Sequence, residues 1–131
     1  MSETRHGSCL CGAVRFTARG PVRGVVYCHC TQCRKQTGHY YAATNVSDDA
    51  LTIEGNDAVR WYRASPTASR GFCGTCGSAL FWKSDGSAVT SVLAGSFDDP
   101  SGLEAVKHIF VADKGDYYGI DDGLPCYQAS G

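Results

Sequence analysis

The chain has 131 residues, a formal charge of −1 and a sequence pI near 6.4. This length is typical of one domain with a buried core, so we expect a single domain over residues 1–131, with residues 1–6 flexible. Because no block of like charges is present, the composition argues against nucleic acid or an anionic membrane surface as the main partner.

Short strands dominate the predicted elements. Alternating apolar and polar residues, separated by Gly, Asp, Asn and Ser, predict strands at 13–18, 24–30, 39–46, 51–55, 59–63, 70–73, 78–84, 89–95 and 105–112. One short helix is expected in TQCRKQTG, where it begins at Thr31 and is ended by Gly38. The fold class is therefore predicted as mainly β, with strand ends gathered around metal.

The expected compartment follows from the lack of long apolar segments in this sequence. The first residues, MSETRHGSCLCG, have no apolar stretch of the signal-peptide type. No run of roughly 18 apolar residues occurs, so no membrane span is expected. We expect a cytoplasmic protein, in which thiols stay reduced and eight cysteines serve as metal ligands before they form disulfides.

Three short motifs contain seven of the eight cysteines. A C-x-C pair on a strand directs both sulfurs to one face, and a C-x-x-C pair can wrap a turn around one ion. The motifs are CLC, CHCTQC and CGTC, and they hold Cys9, Cys11, Cys28, Cys30, Cys33, Cys73 and Cys76. Each motif is able to hold metal by itself or with a partner.

Seven ligands divide into four and three. Two pairs would form a closed, structural zinc site, and the remaining three would form a second site with one open position. Spacing alone leaves the combination open, but Cys9/Cys11 with Cys73/Cys76 keeps the CHCTQC triplet intact and is preferred. Iron–sulfur ligation is the main competing use, and redox disulfides are the next.

The chemistry of a three-cysteine site favours a thiol substrate. Three thiolates around Zn²⁺ leave a formal charge of −1, so the ion is a weaker Lewis acid than one held by three imidazoles. Binding an incoming thiol as thiolate suits such a site better than making hydroxide. Holding the sulfur beside a small aldehyde would then accelerate the addition through proximity and orientation.

Basic residues close to the triplet are candidate ligand-binding groups. Arg34 and Lys35 directly follow Cys33, and either is a candidate to bind substrate carboxylates or to balance the charge of the zinc thiolates. An ordinary solvated basic turn is equally supported. Arg70 is predicted to have a structural role or to support a metal ligand. Cys126 is predicted to be an incidental thiol rather than an eighth ligand.

Of three candidate histidines, His29 and His39 lie within or shortly after CHCTQC, and His108 lies in KHIFVA. His29 is predicted to point away from the metal and to pack or support a ligand. His39 could reach the open position, although an exposed residue at a strand start is favoured. For His108, a role near the pocket and a hydrogen-bonded structural role are equally supported.

Four segments of the chain together resemble one family. The segments GSCLCGAVRF, YCHCTQCRKQTG, GFCGTCGSALFW and HIFVADKGDYYGIDDGLP occur in the order seen in the glutathione-dependent formaldehyde-activating (Gfa) family, which also includes centromere protein V. The resemblance implies a β-tent fold of packed twisted sheets. It implies a structural zinc on Cys9, Cys11, Cys73 and Cys76. It also implies a second zinc on Cys28, Cys30 and Cys33, whose open position faces the substrate.

The resemblance also implies an activity. In this family glutathione adds to formaldehyde to give S-hydroxymethylglutathione, and the reverse reaction cleaves this adduct. We therefore expect a zinc-dependent carbon–sulfur lyase-type enzyme with two zinc ions, acting on glutathione or its formaldehyde adduct at Cys28, Cys30 and Cys33. The alternative is a non-enzymatic, zinc-stabilised binding module of the same fold. Tyr117 or Tyr118 stands where many relatives carry Trp, which bears on the shape of the pocket.

Overall fold

The computed structural model describes residues 3–131, which form two compact units. Among the described residues, the first unit comprises 3–23 and Thr44–Gly102, and the second comprises Gly24–Ala43 and Leu103–Gly131. Strands outnumber helical segments in the described residues as a whole, which confirms the mainly β fold class. The single-domain assignment and the β-tent arrangement stay predictions.

The described residues contain ten strands, one α-helix and four 3₁₀ turns. The strands are β1 (Thr4–Ser8), β2 (Arg15–Arg19), β3 (Val25–Cys28), β4 (Tyr41–Ser47), β5 (Leu51–Glu54), β6 (Val59–Ser65), β7 (Ala68–Cys73), β8 (Ala79–Ser84), β9 (Val89–Leu93) and β10 (Ala105–Ile109); the helix is α1 (Thr31–Thr37). None of these helical segments is long and apolar enough to cross a membrane.

The first unit contains a three-stranded antiparallel sheet in the order β1-β2-β5. Gly7 of β1 faces Phe16 of β2, and a Cβ at Gly7 would lie 2.3 Å from the Phe16 ring. The Phe16 ring packs edge-on against Phe97 and Phe81, with centroid distances of 5.1 and 6.0 Å. Because glycine has no side chain, the Phe16 ring can pack directly against the backbone of β1 at position 7.

The other strands of the first unit lie in the order β9-β8-β7-β6, joined by antiparallel pairing. The second half of β4 flanks β9, where Ser91 Oγ donates to Asn45 Oδ1 at 2.8 Å. Leu80 and Phe81 of β8 and Val92 of β9 are almost completely buried. Burial of these apolar side chains contributes hydrophobic free energy that stabilises the sheet.

The second unit is built on β3. Strand β10 pairs with it in parallel, and Tyr41–Ala43 of β4 pair with it antiparallel. The segment 125–129 runs beside β10, since His108 N–H donates to Pro125 O and Tyr127 N–H donates to His108 O, both at 2.9 Å. The sequence pattern did not predict this last segment.

Each predicted strand differs from the observed one by one to three residues at one end or both, and two differences lie beside the cysteine motifs. Strand β1 occupies residues that we expected to be flexible, while residues 1 and 2 of that prediction lie outside the described residues. Strand β3 ends at Cys28 rather than at residue 30, because Cys30 is already the N-cap of α1. The predicted helix is confirmed: α1 begins at Thr31, and Gly38 follows it in the left-handed conformation at φ 85°.

Candidate metal centres and their surroundings

Two turns of the first unit bring four cysteines together. Cys9 and Cys11 lie in the connection between β1 and β2, whereas Cys73 ends β7 and Cys76 lies in the turn before β8. The four Sγ atoms all lie within 4.8 Å of one another. The pairing preferred from the sequence is therefore the one that the fold brings together.

Backbone N–H groups of these turns point at the sulfurs. Val14 N–H donates to Cys9 Sγ at 3.3 Å, and Thr75 and Cys76 N–H donate to Cys73 Sγ at 3.3 and 3.4 Å. Each turn is closed by a glycine, with Gly77 N–H bonded to Cys73 O at 2.8 Å. Such N–H groups stabilise thiolates, which are the form of cysteine that binds metal.

The pKa values of Cys76 and Cys11 are shifted in opposite directions. Bonds from the Ser78 hydroxyl and backbone lower the pKa of Cys76 to about 5. The backbone at Ala13 lowers the pKa of Cys11, but desolvation and the neighbouring sulfurs outweigh it and raise that pKa to about 11. A group of four thiolates therefore needs a cation to neutralise it.

The remaining three clustered cysteines lie in the second unit. Cys28 ends β3, Cys30 caps α1 and Cys33 lies in its first turn, where Cys33 N–H donates to Cys30 Sγ at 3.3 Å. The Cys28 and Cys33 Sγ atoms are 3.3 Å apart, and all three sulfurs lie within 4.8 Å of one another. Contacts with Cys30 and then Cys33 raise the pKa of Cys28, so this group also favours a cation.

Both clusters have the donor set that zinc prefers. Cysteine sulfur in groups of four or three is the ligand pattern of closed and open zinc sites, and iron–sulfur clusters use the same donor. No disulfide joins any of the eight cysteines, all of which belong to the described part of the chain. Two cysteine clusters able to hold metal are thus present, one in each unit.

The buried histidines of the second unit form a hydrogen-bonded chain. The His29 ring bonds through Nδ1 to the Tyr118 hydroxyl at 2.5 Å and through Nε2 to His108 Nδ1 at 2.8 Å. The other nitrogen of His108, Nε2, bonds to Asp122 Oδ2 at 2.8 Å. Desolvation, followed by the charge of His108, lowers the pKa of His29 to about 4, so this imidazole is neutral at pH 7.

An aromatic group surrounds this chain within the same unit. The Tyr40 ring packs against His29 and His39 with centroid distances of 4.7 and 4.2 Å. His39 is exposed, as favoured from the sequence, and its Nδ1 bonds to the Tyr117 hydroxyl at 2.7 Å. The His39 ring is therefore held by tyrosines, and that of His29 by Tyr118 and His108.

The predicted basic residues differ in their surroundings. Arg34 Nε donates to Asp113 O at 3.2 Å, which fixes the guanidinium beside the loop after β10. Lys35 is exposed on α1, and Arg70 is buried in β7. Cys126 is exposed and outside both cysteine clusters.

Sequence reasoning missed Asp122, and it noted Tyr118 for the shape of the pocket but did not connect it to His29. Asp122 lies 14 residues after His108, and Tyr118 lies 89 residues after His29. Neither pair has a local spacing signal. The family resemblance at Tyr117 or Tyr118 and the run of polar and aromatic residues DYYGIDD were the available indications that this loop carries functional groups.

A mainly β fold with two cysteine clusters defines a class of potential metal-binding proteins. Within that class, the sequence model of the glutathione-dependent formaldehyde-activating enzyme family matches residues 4–113. The chain belongs to this family.

Two curated relatives share part of the sequence. A Halomonas elongata protein provisionally named glutathione-dependent formaldehyde-activating enzyme is 38% identical over 84 residues, covering 58% of this chain and 54% of the relative. An uncharacterized lyase of Schizosaccharomyces pombe is 31% identical over 77 residues, covering 59% of this chain and 56% of the relative. The chain thus spans about half the length of the curated relatives it matches.

A solved structure shares the fold. The crystal structure of a Rhodobacter sphaeroides protein superposes with a TM-score of 0.58 and 19% identity, covering 93% of this chain and 98% of that one. At this identity the likeness concerns the fold alone.

Proposed function

We propose that the protein is a zinc-dependent carbon–sulfur lyase-type enzyme that acts on a thiol–aldehyde adduct such as S-hydroxymethylglutathione. The observation that carries this proposal is the cluster of Cys28, Cys30 and Cys33, which supplies three sulfur ligands to an ion that takes four. The names of the family and of the Halomonas relative support glutathione and formaldehyde as the reactants.

The two clusters have different roles in this proposal. Cys9, Cys11, Cys73 and Cys76 would hold a structural zinc, while Cys28, Cys30 and Cys33 would hold the second. When bound there, zinc supplies a position at which an incoming thiol is held as thiolate. The cap of α1 holds Cys30 and Cys33 in a fixed relation, so the ligands are organised before substrate arrives.

The reaction requires no electron transfer. In the forward direction a bond forms between the glutathione sulfur and the formaldehyde carbon, and the carbonyl oxygen gains the proton that the thiol loses. The reverse reaction breaks the same carbon–sulfur bond. The protein's contribution is to hold the glutathione sulfur and the formaldehyde carbon in contact. The bimolecular step then becomes an effectively unimolecular step within the complex.

Arg34 and Lys35 would bind the carboxylates of glutathione. Their positions in α1, directly after Cys33, support this assignment, and the bond from Arg34 to Asp113 O restricts the guanidinium. A planar guanidinium and an exposed ammonium both suit carboxylate oxygens. Arg34→Ala and Lys35→Ala should each raise KM for glutathione more than they change kcat, because they remove binding far from the reacting atoms.

The test is NMR exchange spectroscopy of the glutathione–formaldehyde equilibrium with and without the zinc-loaded protein. We expect faster exchange with the wild type and with Cys126→Ser, and only the uncatalysed rate with Cys30→Ser. Cys126→Ser is the matched control, since it also replaces a thiol but outside both clusters. If the wild type gives only the uncatalysed rate, the enzyme proposal is wrong and the binding-module alternative is favoured.

A further inference from the structure

The segment 125–129 is attached to the second unit through its main chain. Every side chain from residue 125 to residue 131 is exposed, so burial of apolar surface contributes little to the attachment. Besides its two bonds with His108, the segment accepts three N–H groups from the residues that follow β10. Phe110 donates to Ala129 O at 2.9 Å, Val111 to Tyr127 O at 3.0 Å and Ala112 to Gln128 O at 3.4 Å. The turn after β10 is thus bonded to this segment at three successive residues.

This turn needs support because its backbone is unusual. Phe110 has φ 54° and ψ 38°, and it is the one residue other than glycine with a positive φ among residues 3–131. The conformation is unfavourable for a residue with a Cβ, so it persists where surrounding bonds fix it. A 3₁₀ turn, Val111–Asp113, follows, and the first N–H groups of a helical turn have no partner within it. The segment 125–129 supplies those partners.

The same turn connects two parts of the three-cysteine cluster. It begins beside Cys28, since the last residue of β10 is the register partner of Cys28 in the parallel pairing with β3. It ends at Asp113, whose carbonyl accepts from Arg34 Nε at 3.2 Å. Arg34 directly follows Cys33 in α1, and its own N–H donates to Cys30 O at 3.0 Å. The position of the Arg34 guanidinium beside the cluster therefore depends on the turn.

We propose that the segment 125–129 positions Arg34 for a carboxylate of glutathione, and that Tyr127 is its central positioning residue. Tyr127 makes two of the bonds, since its N–H donates to His108 O and its carbonyl accepts from Val111 N–H. The bond to Asp113 O uses one of the five N–H donors of the guanidinium, so the others are offered to the ligand from a fixed side chain. Fixing a long side chain in advance reduces the entropy that is lost on binding.

This inference rests on the proposed function for the identity of the ligand, and on the contacts described above for the positioning. The family model matches residues 4–113, so the segment lies outside the matched residues and its role is argued from this chain alone. Loss of order in one long side chain should weaken glutathione binding by about threefold to tenfold.

The first measurement is ¹⁵N relaxation NMR of the Arg34 Nε–H bond in the zinc-loaded protein without glutathione. Three variants at one exposed position separate the side chain from the backbone. Tyr127→Ala removes the ring and is the control, Tyr127→Gly also loosens the backbone, and Tyr127→Pro also removes the N–H donor to His108 O.

We expect the Arg34 Nε–H bond to be equally ordered in the wild type and in Tyr127→Ala. Its order parameter should fall in Tyr127→Gly, and in Tyr127→Pro it should fall below about 0.6. If Tyr127→Pro does not fold, the comparison of Tyr127→Gly with Tyr127→Ala still decides. Equal order in all of these proteins would overturn the proposal.

The second measurement is calorimetric titration of the same zinc-loaded proteins with glutathione. Tyr127→Pro should bind about threefold to tenfold more weakly than Tyr127→Ala, with Tyr127→Gly between them. The same comparison in an Arg34→Ala background should show no difference, because the group that the segment positions is then missing. A loss of affinity that persists in this background would mean that the segment does not act through Arg34.

The outcomes separate the two proposals. If glutathione binds and the three Tyr127 variants have equal affinity, the positioning role is wrong while the proposed function stands. If glutathione does not bind the wild type, the proposed function fails and the ligand assigned to Arg34 fails with it. The order parameter of Arg34 still decides in that case whether the segment fixes the guanidinium, because it is measured without glutathione.

Discussion

The Sγ atoms of Cys11 and Cys73 lie 3.8 Å apart, although 62 residues separate them in the chain. This contact joins the β1–β2 turn to the end of β7 within the first unit. A metal ion shared by these turns would close a long loop of the chain. Metal binding and folding of this unit should therefore be coupled.

The first prediction concerns the stability of the two cysteine clusters. Cys73→Ser should prevent stable folding, because a structural zinc site contributes about 10–16 kcal/mol, comparable to the net stability of a domain. Cys30→Ser should remain folded, since its cluster lies on a turn and a short helix within the second unit. Circular dichroism during thermal unfolding is the measurement, and equal loss of structure in both variants would contradict the division of roles.

The second prediction concerns the metal content. Two separate thiolate clusters should bind about two zinc ions per chain, as measured by mass spectrometry of the purified protein. Cys30→Ser should retain about one ion, and Cys126→Ser should retain both because Cys126 belongs to neither cluster. Iron in place of zinc would instead support the iron–sulfur alternative.

The third prediction concerns the end of the helix that carries Cys33. Gly38 has a φ of 85°, and its N–H bonds to Arg34 O at 2.8 Å. A Cβ there would meet no atom within 4 Å, so Gly38→Ala should cost only the conformational penalty of about 1 kcal/mol.

Urea unfolding would measure this loss, and Gly119→Ala is the matched control. A Cβ at Gly119 also meets no atom within 4 Å, and Gly119 has no left-handed backbone. We expect the control to leave stability within about 0.5 kcal/mol of the wild type. If both substitutions have the same effect, the cap of α1 does not depend on glycine.

The fourth prediction concerns the carboxylate of Asp48. The bond from Lys83 is the largest cause that lowers its pKa, and Thr90 Oγ1 also donates to it at 2.7 Å. Because the folded-state pKa is lowered, Asp48 stabilises the fold above the ordinary aspartate pKa of about 4. That contribution is lost as the pH falls through the folded-state value.

Asp48→Asn should therefore lower the free energy of unfolding at pH 7, by less than about 1 kcal/mol because the ion pair is partly exposed. The difference between variant and wild type should shrink as the pH falls below about 4. Chemical denaturation across this range measures it, and Asp121→Asn serves as an exposed control. A difference that is constant with pH would mean that charge on Asp48 does not contribute.

Local features of the sequence predicted much of the architecture. Alternation within short segments located nine strands, and the glycine in TQCRKQTG located the end of α1, because both signals depend on neighbouring residues. Strand β1 was missed because TRHGS has little apolar alternation; its place depends on pairing with β2.

The cysteine motifs by themselves determined that metal-binding chemistry was available, because two or three sulfurs within a few residues can reach one ion in a turn. Only the tertiary structure decided which turns meet, bringing Cys11 to Cys73, and only it placed Tyr118 and Asp122 at the two ends of the histidine pair. Spacing limits what neighbouring residues can reach. Which distant residues come into contact depends on strand pairing and loop closure across the fold, and no short segment encodes either.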